Sequence, residues 1–221
     1  MNPLTTTALV TLTSIALFCG CATTDQNNKS ANAKPVNISD GTWHKDKDIQ
    51  RVWLAPGFDF NGYDGIYIAE TKYAAKERPN EVDMRAWATK YLRNALAGEI
   101  PHSGVIQTTY VSTNDIPAGA KILKLENTVV EYEKGGGGAR YWAGLMGAGQ
   151  PLVKVHGTMT YNDQKVFEYE ARRSGESAGA RMAGGIWSLG YTDRAIQTED
   201  INDLAQDFAG FVRRTANHVA K

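Results

Sequence analysis

Few residues in this 221-residue chain have the type to do chemistry, and fewer have the spacing. The four histidines, His44, His102, His156 and His218, lie far apart, and none sits in an HExxH-like ligand pattern. The two cysteines, Cys19 and Cys21, are both near the N-terminus, so the body holds no thiol for a disulfide or a Cys-based zinc site. The segment FDFNGYDG carries Asp59, Asn61 and Asp64. Brought together with His156, those carboxylates would be the raw material for hydrolytic acid-base work. The same segment also reads as a Gly/Asn turn with an exposed aspartate, and His156 as a solvated residue on the polar side of a strand. No catalytic residue, metal ligand or cofactor site is therefore assigned from the sequence.

Composition narrows the class. Lys plus Arg and Asp plus Glu are both 24, giving zero formal net charge. A general nucleic-acid binder needs a basic footprint to neutralise phosphates, so nucleic acid is not expected as a partner. The apolar fraction of 42% is an ordinary globular value.

The N-terminus reads as an export signal. Ala8 to Phe18 is mostly apolar but well short of the roughly 20 residues a transmembrane helix needs. It runs into Leu17-Phe18-Cys19-Gly20-Cys21, which looks like a bacterial lipobox. The small Gly20 before the cut site points to Cys21 as the lipidated residue, since Cys19 would follow the bulky Phe18. Against the pattern, residues 1–7 contain no Lys or Arg, so a stretch that is uncleaved or not lipidated stays open. Lipidation would put a diacylglycerol and an amide-linked acyl chain on Cys21, enough chains for stable attachment. Ala22, not Asp, follows it, which favours the outer membrane. The expected organisation is a signal peptide at 1–20, a lipidated Cys and disordered tether at 21–48, and a periplasmic domain at 49–221. The tether is rich in Asn, Ser, Thr, Lys and Asp, with almost no periodic apolar content.

The domain reads as α/β (α+β): a mixed sheet of about five strands with two packed helices, in β-α-β-β-β-α order. Strands are expected at 51–54, 63–70, 105–111 and 120–133, the last with a bulge at Asn127 to Val129 where the facing changes parity. A helix is expected at 81–97, capped by Asn80 and stopped by Gly98, and a second from Glu199 to about His218 with Thr198 as its cap. The region 152–173 is a hairpin. A three-residue loop at 162–164 places Met159 opposite Phe167, Gly157 opposite Tyr169 and Val155 opposite Ala171, so that every main apolar position shares one side. Tyr169 then covers the strand glycine.

Two Gly/Ala-rich segments frame that hairpin. GGGGARYWAGLMGAGQ (135–150) precedes it, and 174–191 follows, repeating Gly-Ala-Arg at Gly179 to Arg181. Both must leave the same end of the sheet. Arg140, Tyr141, Trp142, Leu145, Met146, Arg181, Met182 and Trp187 are the candidate interface, presenting apolar and aromatic surface beside glycine to a partner, a second copy or the membrane surface. Two adjacent flexible loops is the plainer reading. A phosphate loop is the weaker reading, because GAGQP lacks the Lys-Ser/Thr and leads into a strand.

The helix at 81–97, the strand at 121–132 and above all GARYWAGLMGAGQPLVKVHGTMTYNDQKVFE resemble bacterial envelope lipoproteins carrying the domain of unknown function 4410. The resemblance covers roughly Ile49 to the C-terminus and implies no activity and no catalytic residues. At fold level alone, the element order is similar to small α/β domains of curli-secretion and Tol-accessory lipoproteins. The resulting expectation is an outer-membrane lipoprotein on the periplasmic face, attached through its lipid, that binds a protein or itself without catalysis. An envelope hydrolase and a subunit of an oligomeric secretion pore are the alternatives.

Overall fold

The computed structural model describes residues 39–76, 82–133, 152–174 and 193–219. Eight strands form one mixed sheet: β1 (Trp43–Lys45), β2 (Arg51–Leu54), β3 (Gly65–Ile68), β4 (Lys72–Tyr73), β5 (Thr109–Tyr110), β6 (Ile122–Glu133), β7 (Leu152–Tyr161) and β8 (Gln164–Ser174). Among the described residues two α-helices accompany them, α1 (Val82–Glu99) and α2 (Asp193–Val219). The spatial order is β1-β2-β8-β7-β6-β3-β5, with β4 also pairing β6. From β1 to β6 all neighbours are antiparallel, whereas β3, β4 and β5 join in parallel. The fold is thus mixed α+β, as expected, with more strands than the five read from sequence. The additions are short, and β1 starts before the expected boundary at Ile49 because it pairs with β2 through Trp43 opposite Trp53.

Alternation sets the two faces of the long strands. Leu123, Leu125, Val129, Val155, Met159, Phe167 and Tyr169 are buried on one side and form a single core with Ala88, Leu92 and Leu96 of α1 and Leu204, Phe208 and Val212 of α2. Phe167 is its hub, with ring centroids 5.5 Å from Phe211, 5.8 Å from Phe60 and 5.9 Å from Phe208. The opposite face carries Lys124, Glu126, Thr128, His156, Thr158, Glu168 and Glu170, none of them buried. One covered and one polar face is what an antiparallel sheet permits.

The hairpin has the expected pairing: Met159 with Phe167, Gly157 with Tyr169 and Val155 with Ala171. The device that achieves it differs. Asn162 and Asp163 form a two-residue turn, both in the left-handed region (φ 49° and 62°), and the register then shifts at Val166. A tight turn plus a bulge gives the same facing as a three-residue loop. The bulge in β6 also exists, one residue beyond the expected span, between Val129 and Glu131; it returns Tyr132 to the buried side.

Helix ends moved most. α1 runs through Gly98 and continues as a 3-10 turn, Ile100–Ser103, that stops at Gly104, whose φ of 74° suits a glycine C-cap and whose N–H reaches Pro101 O at 3.1 Å. The expected cap Asn80 lies outside the described residues. α2 begins at Asp193, so Thr198 is inside the helix and not its cap. A side chain at Gly210 would meet only Arg214 Nη1 at 3.5 Å, so that glycine answers to no close packing.

Candidate functional site

The residues singled out for hydrolytic chemistry are each absorbed by a local structural task. Asp59 Oδ1 accepts from Asn61 N at 3.0 Å and caps the turn Phe60–Gly62. Asp64 Oδ2 accepts from Lys121 N at 2.8 Å, while Asp64 N donates to Lys121 O at 2.9 Å, which fastens the start of β3 to β6. His156 stands in mid-β7 on the polar face, across from Glu170, and its Nε2 lies 2.7 Å from Glu168 Oε1. Lys165 Nζ donates to Glu168 Oε2 at 2.6 Å. Burial works to raise the Glu168 pKa, but the Lys165 and His156 hydrogen bonds outweigh it and hold the carboxyl below its ordinary value. The arrangement is a surface ion cluster. His44 touches both Asp40 Oδ1 (2.8 Å) and Thr42 Oγ1 (3.0 Å) through the same Nε2. A relay needs the two ring nitrogens on different partners, so this trio is a brace at the entrance to β1. Among the described residues no group of three His, Cys, Asp or Glu is arranged to hold a metal. No described helix is long and apolar enough to cross a membrane.

Cys21 and the whole interface set, Arg140, Tyr141, Trp142, Leu145, Met146, Arg181, Met182 and Trp187, lie outside the described residues. The structure does fix where their segments attach. β6 ends at Glu133 opposite Leu152, and Leu152 is opposite Ser174 at the end of β8. Residues 134–151 and 175–192 therefore both leave one end of the sheet.

That end is polar and tied to α2. An open cleft of about 510 Å³ beside Ser174 is lined by Lys45, Asp46, Asp48, Arg172 and Arg173, among others. Arg214 of α2 reaches Asp46 Oδ1 and Oδ2 at 3.1 and 3.2 Å and Asp48 Oδ2 at 2.7 Å. Arg173 pairs with Asp207 of α2 and donates to Asp48 O at 3.3 Å. These contacts clamp the β1–β2 connection to the helix with two-pronged guanidinium geometry.

The first turns of α2 carry a second polar feature. Gln197 and Asp200 are 0% and 1% exposed, on the stripe that continues into Ile201, Leu204 and Phe208. Neither polar atom of Gln197 and neither oxygen of Asp200 has a hydrogen-bond partner. Burial, then the charges of Asp203 and Glu199, push the Asp200 carboxyl up to about 7 against a smaller opposing pull from Arg173. The sequence reading missed Gln197 because it began the helix at Glu199, and passed over Asp200, inside that helix, because it began the apolar stripe at Ile201. Running the 3.6-residue period back from Leu204 places Asp200 and then Gln197 at core positions, and that was the signal to follow.

No family model matches the chain, that of the domain of unknown function 4410 included. No curated protein matches it either. Among solved structures it is similar to the PelC dodecamer from Paraburkholderia phytofirmans, at 13% identity and a TM-score of 0.43 over 71% of this chain and 94% of that one. It is likewise similar to a Xanthomonas campestris protein of the domain of unknown function 330 family, at 13% identity and a TM-score of 0.41 over 76% of this chain and 93% of the other.

Proposed function

We propose that the protein is a lipid-anchored lipoprotein on the periplasmic face of the outer membrane, akin to the 4410 group, and that it binds a protein partner or itself without catalysis. The observation that carries the binding half is the common sheet end from which residues 134–151 and 175–192 both depart. Two segments rich in Gly, Ala and aromatic residues, rooted side by side, can build one contact surface that neither would make alone. The anchor half rests on Leu17 to Cys21 and on Ala22. A hydrolase reading has less support, because Asp59, Asp64 and His156 sit on three separate elements with structural partners.

Two experiments test the two halves separately. Cys21→Ser should release the protein from membranes and abolish acyl labelling; unchanged retention would sink the anchor. Mild-detergent extracts, sized and pulled down for wild type, Trp142→Ala and Trp187→Ala, test the surface. Wild type should run as a complex that both variants weaken, and three identical monomeric profiles would refute it.

A further inference from the structure

We infer that the cleft beside Ser174 is a binding site for a phosphoryl dianion, held between Lys45 and Arg172. This site is independent of the surface proposed above and needs neither the anchor nor the Gly-rich segments. The chain has no net charge, yet its charges are not evenly paired. On the open face of the sheet, Lys45 of β1 stands directly opposite Arg51 of β2, and Lys154 of β7 directly opposite Arg172 of β8. Like charges placed straight across a ladder repel. The neighbouring carboxylates do not relieve the two pairs. Glu170, which lies between them, is opposite Arg51 and reaches it at 3.9 Å. Glu131 stands across from Lys154, and no ion pair joins them. Lys45, Lys154 and Arg172 thus have no carboxylate partner among the described residues.

Lys45 and Arg172 both line the open cleft of about 510 Å³. The other charges in its wall are satisfied within the fold. Arg214 of α2 holds Asp46 and Asp48, Arg173 pairs with Asp207, and Lys47 has Asp48 at 3.2 Å. What remains is one ammonium and one guanidinium, with Gln50 and Ser174 as neutral polar neighbours. Both cations are exposed, so a ligand reaches them with no rearrangement of the core. Lys154, across from Arg172, adds to the positive field that draws an anion in.

The chemistry of the ligand follows from that remainder. Two unmatched cations in one cleft call for an anion of two charges. A carboxylate brings one. A phosphomonoester brings roughly 1.5 to 2 at neutral pH, on three strong acceptor oxygens. The Arg172 fork can take two of those oxygens in parallel, and the Lys45 ammonium can take the third as a point charge. The cleft has the volume of a small-molecule site, more than a bare phosphate fills, so the phosphoryl group arrives on a carrier. A soluble phosphoester and a lipid headgroup both present that group.

The test is equilibrium dialysis of labelled glycerol 3-phosphate against the full-length protein in mild detergent at low salt. Arg172→Gln and Lys45→Gln should each weaken binding roughly tenfold or more. Lys72→Gln, on β4 across the same face, should leave it unchanged. Arg172→Gln also removes the opposition to Lys154, so its melting temperature should hold or rise, which separates lost binding from lost folding. Glycerate, a carrier of similar size with a single charge, should bind roughly tenfold or more weakly than glycerol 3-phosphate. Competition by dihexanoyl phosphatidic acid reads the source of the group. Much tighter binding than glycerol 3-phosphate, still lost in Arg172→Gln, marks a lipid headgroup, and equal binding marks a soluble phosphoester. No retention of either phosphate compound, equal losses in Lys72→Gln and Arg172→Gln, or glycerate bound as tightly as glycerol 3-phosphate would each overturn the inference.

Discussion

Two buried polar clusters among the described residues are finished to different degrees. In mid-sheet, Asn127, Gly157 and Tyr169 sit in one row across β6, β7 and β8. Tyr169 lies over the glycine and donates its hydroxyl to Asn127 Oδ1 at 2.8 Å, leaving only Asn127 Nδ2 without a partner. At the sheet end, Gln197 and Asp200 are as deeply buried, with no partner for any of their four polar atoms. The first cluster is closed by the chain's own geometry and gives the sheet a unique register. The second is polar surface that the chain buries without completing. Equal burial therefore hides a difference in how far a polar group is satisfied, and the state of its hydrogen bonds shows it.

The comparison breaks first, and hardest, at Gly157. A Cβ there would stand 2.6 Å from Tyr169 Cζ and 2.7 Å from Asn127 Oδ1, both on buried residues with nowhere to move. Gly157→Val should cost more than about 3 kcal/mol, through overpacking and the lost Tyr169–Asn127 bond together. Thermal unfolding and near-UV circular dichroism check it. An unchanged spectrum and melting temperature would mean that the row is loose and the register wrong.

The sheet-end cluster answers to pH. Its folded pKa of about 7 lies above the ordinary 3.8, so the fold favours the protonated acid. That contribution is fully present below about pH 4 and is lost as pH rises through 7. Stability of the wild type should fall across this window by an amount on the order of a few kcal/mol, and Asp200→Asn should flatten the fall and gain stability at pH 8. Denaturant titrations at pH 5 and 8 measure both. A variant less stable than wild type at pH 8 would mean that Asp200 is satisfied from within, and the contrast with the mid-sheet row would vanish.

How much of this was legible in the sequence depends on the length of the pattern that carried it. β7 and β8 alternate over ten and eleven residues, which fixed the facing of Gly157 and Tyr169 even though the turn residues were counted wrongly. The miscount was harmless because the extra residue at Val166 restores the phase. β1 and β4 have three and two residues, too few for a period, and exist because neighbouring strands offer them hydrogen bonds, while of the strand expected at 105–111 only Thr109–Tyr110 pairs. Gly98 looked like a stop because propensity disfavours glycine in helices, yet α1 continues past it, held by Leu92, Leu96 and Ile100 in the core. The end cluster was invisible for a related reason. Thr198 has the chemistry of a cap, and accepting it hid the turn that contains Gln197. The interface arginines and tryptophans were legible only as composition, which says what a surface is made of and not what it touches.

The smallest expected effect is also the cleanest measure of closure. Tyr169→Phe removes one hydroxyl and no carbon, so packing against Phe208, 5.1 Å away, survives. What is lost is the bond to Asn127 Oδ1, and the penalty is that this buried oxygen then has no partner. Burial already pushes the Tyr169 pKa upward, so the hydroxyl stays a neutral donor throughout the useful pH range and the penalty should not vary between pH 5 and 8. We expect a loss of about 1–2 kcal/mol by denaturant titration. Asn127→Leu placed on top of Tyr169→Phe should recover part of it, because an apolar pair leaves nothing unmet. No such recovery, or a Tyr169→Phe protein as stable as wild type, would show that the row holds together by packing alone. The hydrogen bond would then not be what distinguishes it from Gln197 and Asp200.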